Sequence, residues 1–269
     1  MKLNKQDVNF SRCDISKQIK LPNTLTPELA EIIGIILGDG HIECGKKYFQ
    51  TTMYLVNIAG SVSEDKAYYT NHINPIFYNL FNTQFTISSR RNDELVLNLY
   101  SKAIATFFVN QGIKSGSKVD ENFVPKKILN SKENTKKGFL RGIFDTEGSM
   151  TFKKDYFGKH SKPLISLKMK SINFILQLKE LLMEFDFDPK IYKEEYFDKR
   201  SNKVSVRYKI DLAGKKKLKR FLELIGFRNP RHLIKVEIWK KHGFYPPRLS
   251  YQQRRDILDG KLNLEEFYN

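Results

Sequence analysis

An internal repeat constrains the fold of this chain more than any other feature of its sequence. Shifting the 269-residue sequence against itself by 108 positions aligns two stripes of small residues that recur every four positions: Ala30, Gly34 and Gly38 with Gly138, Gly142 and Thr146. The same shift aligns Asp39 with Glu147, Gly40 with Gly148 and Ser63 with Ser171. One register therefore matches a small-residue stripe, an acid and a later serine, which indicates a duplicated domain.

Each copy predicts the same order of elements, helix-strand-strand-helix-strand-strand-helix. Thr26 and Pro27 are typical of a helix start, and the apolar stretch that follows predicts a buried helix to about Gly38. In the second copy Ser166, Lys168 and Lys170 alternate with apolar neighbours, as do Ser205, Arg207 and Lys209. Later helices are predicted at 65–81, 101–111, 171–185 and 215–225.

The two small-residue stripes predict that the first helices of the copies pack on each other. Small residues at i, i+4 and i+8 lie on one helix face and let two backbones approach closely. Asp39 and Glu147 follow these stripes directly, so we expect the two carboxylates to lie side by side at the helix ends. Like charges at the negative ends of two helix dipoles are unfavourable unless a cation intervenes. A divalent metal, Mg²⁺ or Mn²⁺, would relieve this conflict.

Charge points to a polyanionic partner. The chain has 47 Lys and Arg against 30 Asp and Glu, a formal net charge of +17. The first 134 residues hold 16 basic and 13 acidic residues, and the remainder hold 31 and 17. With 20 Phe and 13 Tyr available for base stacking, nucleic acid is the first hypothesis. Metal-bound carboxylates on such a protein indicate phosphodiester hydrolysis, one acid for each strand of a duplex.

Other classes of protein are disfavoured. Cys13 and Cys44 are the only cysteines, so neither a disulfide framework nor a zinc site is predicted. The longest strongly apolar stretch, Ile32 to Leu37, is far below the ~20 residues of a membrane span, and the N-terminal residues do not resemble a signal peptide. We expect a soluble intracellular protein with no membrane partner, in cytoplasm, nucleoid or organelle.

The nonapeptides at 32–40 (IIGIILGDG) and 140–148 (LRGIFDTEG) resemble the two motifs of single-chain LAGLIDADG homing endonucleases. The resemblance extends from about Thr26 to Phe227. It implies an α+β fold, a pseudo-twofold αββαββα duplication whose two four-stranded antiparallel sheets form a DNA-binding saddle around the two packed motif helices. It also implies a monomeric, intron-encoded or free-standing nuclease that cuts a long pseudo-palindromic or asymmetric DNA site. Such enzymes use a divalent metal and leave short 3′ overhangs, and Ca²⁺ is expected to support binding without cleavage.

By position, the resemblance makes Asp39 and Glu147 the catalytic, metal-binding acids. Lys170 matches the lysine that the family often places before the next helix, where it would orient water or steady the phosphate. The first copy has Val62 at the equivalent position, so cleavage of one strand would be slower, depend on another cation such as Lys66, or be lost. Leu37 likewise replaces the first motif acid that Asp145 retains.

Candidate DNA contacts are basic or polar side chains on predicted strands and hairpin ends. They are Lys168, Ser205, Arg207 and Lys209, with Lys153, Lys154, Lys193, Arg90 and Arg91. The predicted organisation is an N-terminal extension at 1–25, a first half at 26–130, a second half at 131–228 and a C-terminal helical extension at 229–269.

A non-cleaving member of the same family is the alternative. An RNA maturase, with intron RNA as its partner, or a DNA-binding regulator would use the same fold without cutting. The intact acids favour a nuclease, whereas Val62 favours the alternative.

Overall fold

The structure, a computed structural model, describes residues 2–116, 122–198 and 202–268. The chain divides into two compact units, Met1–Thr146 and Glu147–Asn269. Each unit contains one four-stranded antiparallel sheet, with strand order β1-β2-β4-β3 in the first and β5-β6-β8-β7 in the second.

The first unit contains seven α-helices and four strands among its described residues. They are α1 (Arg12–Ser16), α2 (Pro27–Gly38), β1 (Gly40–Tyr48), β2 (Thr51–Ser61), α3 (Val62–Tyr68), α4 (Asn74–Phe81), β3 (Thr86–Ser89), β4 (Glu94–Tyr100), α5 (Lys102–Asn110), α6 (Lys126–Leu129) and α7 (Glu133–Thr146), with a π-helical turn at Tyr69–Ile73.

The second copy of the repeat begins with α7 and continues through the second unit in the same order of strands and helices. The elements of the second unit are β5 (Gly148–Lys154), β6 (His160–Met169), α8 (Ile172–Met183), β7 (Lys190–Asp198), β8 (Lys203–Ala213), α9 (Lys215–Leu224), α10 (Pro230–His242), α11 (Tyr251–Leu258) and a 3₁₀ turn at Leu264–Tyr268. The predicted α+β class and duplicated αββαββα order are therefore confirmed. Among the described helices, none has the length and apolar character needed to cross a membrane.

The motif helices α2 and α7 pack at backbone distance. A Cβ built on Gly142 would lie 2.1 Å from the Glu31 carbonyl oxygen, and one on Gly138 would lie 2.2 Å from that of Pro27. On the other helix, a Cβ on Gly34 would lie 2.5 Å from the Phe139 oxygen. The contacts advance together along both helices, so the two helices run in the same direction.

The sequence explains where α2 begins and why its interior is buried. The Thr26 side chain accepts a hydrogen bond from the amide of Leu29, and Pro27 occupies the first turn. Residues from Leu29 to Leu37 are all buried. Of the remaining stripe residues, Ala30 and Thr146 are buried, and Gly38 is half-buried at the end of α2. The Thr146 hydroxyl donates back to the Gly142 carbonyl oxygen, at 2.9 Å.

The predicted helix at 65–81 differs from the observed one. The observed helical segment begins at Val62, and a π-helical turn at Tyr69–Ile73 separates α3 from α4. Pro75 has no amide hydrogen for the bond to residue 71, which interrupts the regular ladder there. Asn74 anchors the junction through both side-chain atoms, donating to the Phe85 carbonyl at 3.2 Å and accepting from its amide at 3.0 Å.

The N-terminal segment docks on the first unit through Asp14. This carboxylate accepts hydrogen bonds from the Ser101 hydroxyl at 2.6 Å and the Ala103 amide at 3.2 Å, at the start of α5. Burial raises the pKa of Asp14, but the hydrogen bonds from Ser101, Ser11 and Ala103 outweigh it, so the pKa lies below its ordinary value. The buried side chains of Leu3 and Ile19 complete the attachment.

Candidate active site

A cavity of about 370 Å³ in the second unit collects four of the predicted site residues. It is lined by Glu147, Ser149, Ser166, Lys168, Met169, Lys170, Tyr196 and Arg207. One carboxylate therefore shares a cavity with three cations, an arrangement suited to an anionic group bridged to the acid by a metal ion.

Strand register explains how this cavity forms. Glu147 immediately precedes β5, whose Ser149 pairs with Ser166 of β6. Lys168 lies two residues further along β6 on the same face, directly opposite Lys209 of β8. Lys170 is exposed just beyond the end of β6, next to Ser171, whose side chain caps α8. The predicted alternation thus places Glu147, Lys168 and Lys170 at one end of this sheet.

Glu194 organises the basic side chains at this end of the sheet. Its Oε2 accepts hydrogen bonds from Lys168 Nζ at 2.9 Å and Arg207 Nε at 3.0 Å, and its Oε1 lies 3.6 Å from Lys209 Nζ. The hydrogen bond from Lys168, reinforced by Arg207, lowers the pKa of Glu194 to about 2. This carboxylate therefore stays ionised near neutral pH and neutralises part of the basic face.

A buried acid holds Lys209 from its other side. Lys209 Nζ lies 3.2 Å from Asp211 Oδ2, and the Ser166 hydroxyl donates to Asp211 Oδ1 at 2.6 Å. Because Lys209 is held between Glu194 and Asp211, it is less available to a ligand than Lys170 at the exposed strand end.

The other predicted contacts are spread over both units. Ser205 pairs with Tyr196 across β8 and β7, on the face that carries Arg207. Lys193 lies on the opposite face of β7, where its ammonium pairs with Glu195 at 2.9 Å. The remaining four side chains are exposed at strand or hairpin ends: Lys153 and Lys154 in β5, and Arg90 and Arg91 in the β3–β4 turn.

The equivalent part of the first unit is built differently. Asp39 caps α2, is half-buried, and accepts the Ala59 amide at its carbonyl oxygen, at 3.0 Å. Val62, in the position equivalent to Lys170, begins α3 between two serines that bind the Asp93 carboxylate. The Ser63 amide and hydroxyl donate to Asp93 at 2.9 and 2.8 Å. This end of the first sheet therefore carries an acid where the second carries Lys170.

The candidate metal ligands, Asp39 and Glu147, carry carboxylate oxygens, which are hard donors. Among the residues that the structure describes, no group of three or more His, Cys, Asp and Glu side chains could enclose a metal ion. Mg²⁺ is ordinarily held by one or two carboxylates together with water and substrate phosphate oxygens. Single acids such as Asp39 and Glu147 match that requirement.

Comparison with known proteins places the fold. Residues 134–226 match the family model of the LAGLIDADG-like domain. The homing endonuclease I-DmoI, solved in complex with DNA and Ca, superimposes with a TM-score of 0.53 and 18% identity, covering 78% of this chain and 97% of that one. At this identity the likeness concerns the fold.

Two archaeal relatives share a segment with this chain. The glutamine--fructose-6-phosphate aminotransferase of Methanocaldococcus jannaschii is 25% identical over 219 residues, which is 81% of this chain and 18% of the relative. The tRNA-splicing ligase RtcB of Methanopyrus kandleri is 25% identical over 214 residues, 74% of this chain and 20% of the relative. The chain thus spans about a fifth of the length of each relative. The two relatives are named for different activities, and neither activity is assigned to this chain.

The fold is duplicated within one chain. Each copy begins with a packed helix, α2 or α7, that is followed directly by an acid, Asp39 or Glu147. The match to the LAGLIDADG-like domain model thus covers the copy that holds the second of these helices, as the motif resemblance predicts.

Proposed function

We propose that this protein is a sequence-specific endonuclease that hydrolyses phosphodiester bonds of double-stranded DNA with a divalent metal. The observation that carries the proposal is the cavity that unites Glu147 with Lys168, Lys170 and Arg207. A DNA backbone supplies the anionic group that these cations require, and phosphate oxygens complete the coordination of a metal held by the acid. The net charge of +17 supports a long DNA footprint.

The roles follow from chemistry and exposure. Asp39 and Glu147 would each hold Mg²⁺ or Mn²⁺, which when bound lowers the pKa of water and stabilises the departing oxygen. Lys170 is exposed at the cavity and would steady the scissile phosphate or orient the attacking water. Lys168, Arg207 and Ser205 would contact DNA from the face of β6 and β8, with Lys209 in a supporting role.

Further details of the proposal follow from the family resemblance. They comprise the saddle of two sheets, short 3′ overhangs, a monomeric protein, and a long pseudo-palindromic or asymmetric site. The four sequence segments at 1–25, 26–130, 131–228 and 229–269 belong to the same proposal. Structures of I-DmoI with DNA are described with Mn, Mg and Ca, which supports the expectation that Ca²⁺ permits binding without cleavage.

A non-cleaving nucleic-acid-binding protein is the second candidate. The observation that favours it is the first unit's Ser61-Val62-Ser63 segment, which is bound to an acid and lacks the lysine of the second unit. Such a protein would capture DNA or structured intron RNA through the same basic face.

Selection from a randomised duplex library tests the proposal. The purified protein is incubated with the library in Mg²⁺ and cut ends are sequenced, while bound duplexes are recovered in Ca²⁺. Asp39→Asn and Glu147→Gln are assayed in parallel. We expect defined ends with a short 3′ stagger from the intact protein, and retained Ca²⁺ binding with lost cleavage in both variants.

The outcomes separate the two candidates. Tight, metal-independent capture of DNA without any cutting by the intact protein would replace the nuclease with the DNA-binding regulator. Capture of structured RNA but not of duplex DNA would favour the maturase. Cleavage that persists in both acid variants would show that other residues carry the chemistry.

A further inference from the structure

The two units expose matching pairs of aromatic side chains at the tips of their first hairpins. The β1–β2 hairpin ends at Tyr48 and Phe49, and the β5–β6 hairpin ends at Tyr156 and Phe157. The two pairs are separated by 108 positions, the shift that aligns Asp39 with Glu147. The duplication therefore holds a Tyr-Phe pair in register with the acids.

Three of these four rings contribute little to the interior of either unit. The exposed fractions are 40% for Tyr48, 105% for Phe49, 93% for Tyr156 and 86% for Phe157. The β3–β4 hairpin has a polar turn instead, formed by residues 90–93. Among the described residues, the first hairpin of each unit thus ends in a Tyr-Phe pair, and Phe197 near the end of β7 is a further exposed aromatic, at 58%.

Local structure holds the rings outward. In the second unit Asp155 Oδ1 accepts the amides of Phe157 and Lys159 at 2.9 and 3.0 Å, and Oδ2 accepts the Ser161 hydroxyl at 2.7 Å. In the first unit Phe49 has φ of 54°, a region that favours glycine and is unusual for a large side chain. Phe49, Tyr156 and Phe157 are thus presented to solvent, whereas Tyr48 is partly covered and its hydroxyl donates to Glu43 Oε2 at 3.3 Å.

Lysines beside both tips favour an anionic partner. Lys46 and Lys47 precede the first tip, and Lys153 and Lys154 lie just before the second. The Lys46 ammonium lies 4.9 Å from the centre of the Tyr48 ring. Cations beside exposed aromatic rings suit a phosphate backbone with bases to stack on.

We propose that the Tyr48-Phe49 and Tyr156-Phe157 tips are DNA contacts that pack aromatic rings against the base stack of the bound duplex. This inference rests on the proposed function and adds a determinant of site choice to it. Apolar side chains that enter a base step unstack it, and pyrimidine–purine steps unstack at the least cost. The tips would therefore favour TA, CA or TG steps at the positions they contact.

The test uses the full chain and a duplex selected from the randomised library in Ca²⁺. Two variants, Tyr48→Ser with Phe49→Ser and Tyr156→Ser with Phe157→Ser, each remove one tip. Tyr78→Ser removes an exposed aromatic from α4 and serves as the matched control. Kd is measured across a salt series, and 2-aminopurine is placed at successive base positions to report unstacking.

Each tip variant is expected to bind about ten- to a hundred-fold more weakly, because base stacking contributes that much per base. The salt slope should stay unchanged since no charge is removed. The 2-aminopurine signal should fall at one position for each variant, and pyrimidine–purine steps should be enriched there. Tyr78→Ser should match the intact protein, and cleavage of fully bound duplex in Mg²⁺ should continue in every variant.

Contrary outcomes are distinguishable. If the intact protein binds and cuts while both tip variants keep its Kd and fluorescence pattern, the tip proposal fails and the nuclease stands. If the intact protein binds no duplex, both proposals fail together.

Discussion

Replacing Gly142 by alanine should separate the two motif helices and destabilise the protein. The added Cβ would lie 2.1 Å from the Glu31 carbonyl oxygen and 3.1 Å from the Ile35 amide nitrogen. Ordinary contact begins at 3.4 Å, so the shortfall is about 1.3 Å and is opposed by backbone on the facing helix. Neither helix can relieve it by turning a side chain.

The expected magnitude follows from two opposing terms. Overpacking of a close-packed core costs about 1–3 kcal/mol, and the backbone obstacle here places the cost at the upper end. Alanine recovers about 1 kcal/mol of helix propensity over glycine. The net loss is therefore about 2 kcal/mol, or a fall of roughly 4–8 °C in Tm for a domain of this size. Gly138→Ala should behave alike, and Gly34→Ala should cost less because its contact is 2.5 Å.

Urea unfolding followed by circular dichroism measures this difference. Lys219→Ala, at an exposed position of α9, controls for the substitution itself and should change the free energy of unfolding by less than about 0.5 kcal/mol. A Gly142→Ala protein with the urea midpoint and m-value of the parent would refute the close helix approach. Equal destabilisation by Lys219→Ala would refute the packing explanation.

Three further perturbations test the docked N-terminus, the unequal units and the basic face. Asp14→Asn should lower the free energy of unfolding by about 1–3 kcal/mol at pH 7. Because the folded pKa of Asp14 is lowered, this difference should shrink as pH falls below about 4, and a pH-independent loss in urea titrations would contradict the assignment. When the two DNA strands are labelled separately, the intact protein should accumulate nicked duplex, and Val62→Lys should make the cleavage rates of the two strands more equal. Equal cleavage rates in the intact protein would count against a role of Lys170 in cleavage. Glu194→Gln should free Lys168 and Arg207, and should therefore raise DNA affinity several-fold and steepen its salt dependence. Glu195→Gln, on the opposite face of β7, should change neither property. Equal effects of the two variants in filter-binding titrations would show that DNA binds to another surface.

The backbone of the site was predictable because it rests on local and periodic signals. Thr26 and Pro27 give the start of α2, and the alternation around Lys168 gives the exposed face of β6. The repeat gives the pairing of α2 with α7 because glycines at fixed spacing leave room for backbone. These features depend on residues close in sequence or on a register that the duplication displays twice.

The electrostatics of the site were not predictable in the same way. Glu194 sits in the run Lys193-Glu194-Glu195, where charge alone does not show which side chain faces the site. Only its register opposite Arg207 brings it to Lys168, and only folding makes it the shared acceptor of both. The alternation of Tyr192, Glu194 and Tyr196 indicates that these side chains share one face of a strand. The sequence does not show that β8 pairs with this strand, and that pairing is what brings Glu194 to Arg207.

The two copies have diverged most where a change leaves the backbone in place. A Cβ added to Gly34 or to Gly142 would lie within 3 Å of backbone on the facing helix, so a larger residue in either copy would displace a helix. Leu37 and Asp145 occupy equivalent positions and are both buried, yet Asp145 reaches the Tyr68 hydroxyl at 3.4 Å where Leu37 has only an apolar side chain. Val62 and Lys170 occupy equivalent positions at the edge of their sheets, where a substitution changes the chemistry of the site and not the folding of the chain. If the protein cuts DNA, selection on stability therefore protects the shared helix pair in both copies, while the unequal sheet ends predict that the two strands are cut at unequal rates.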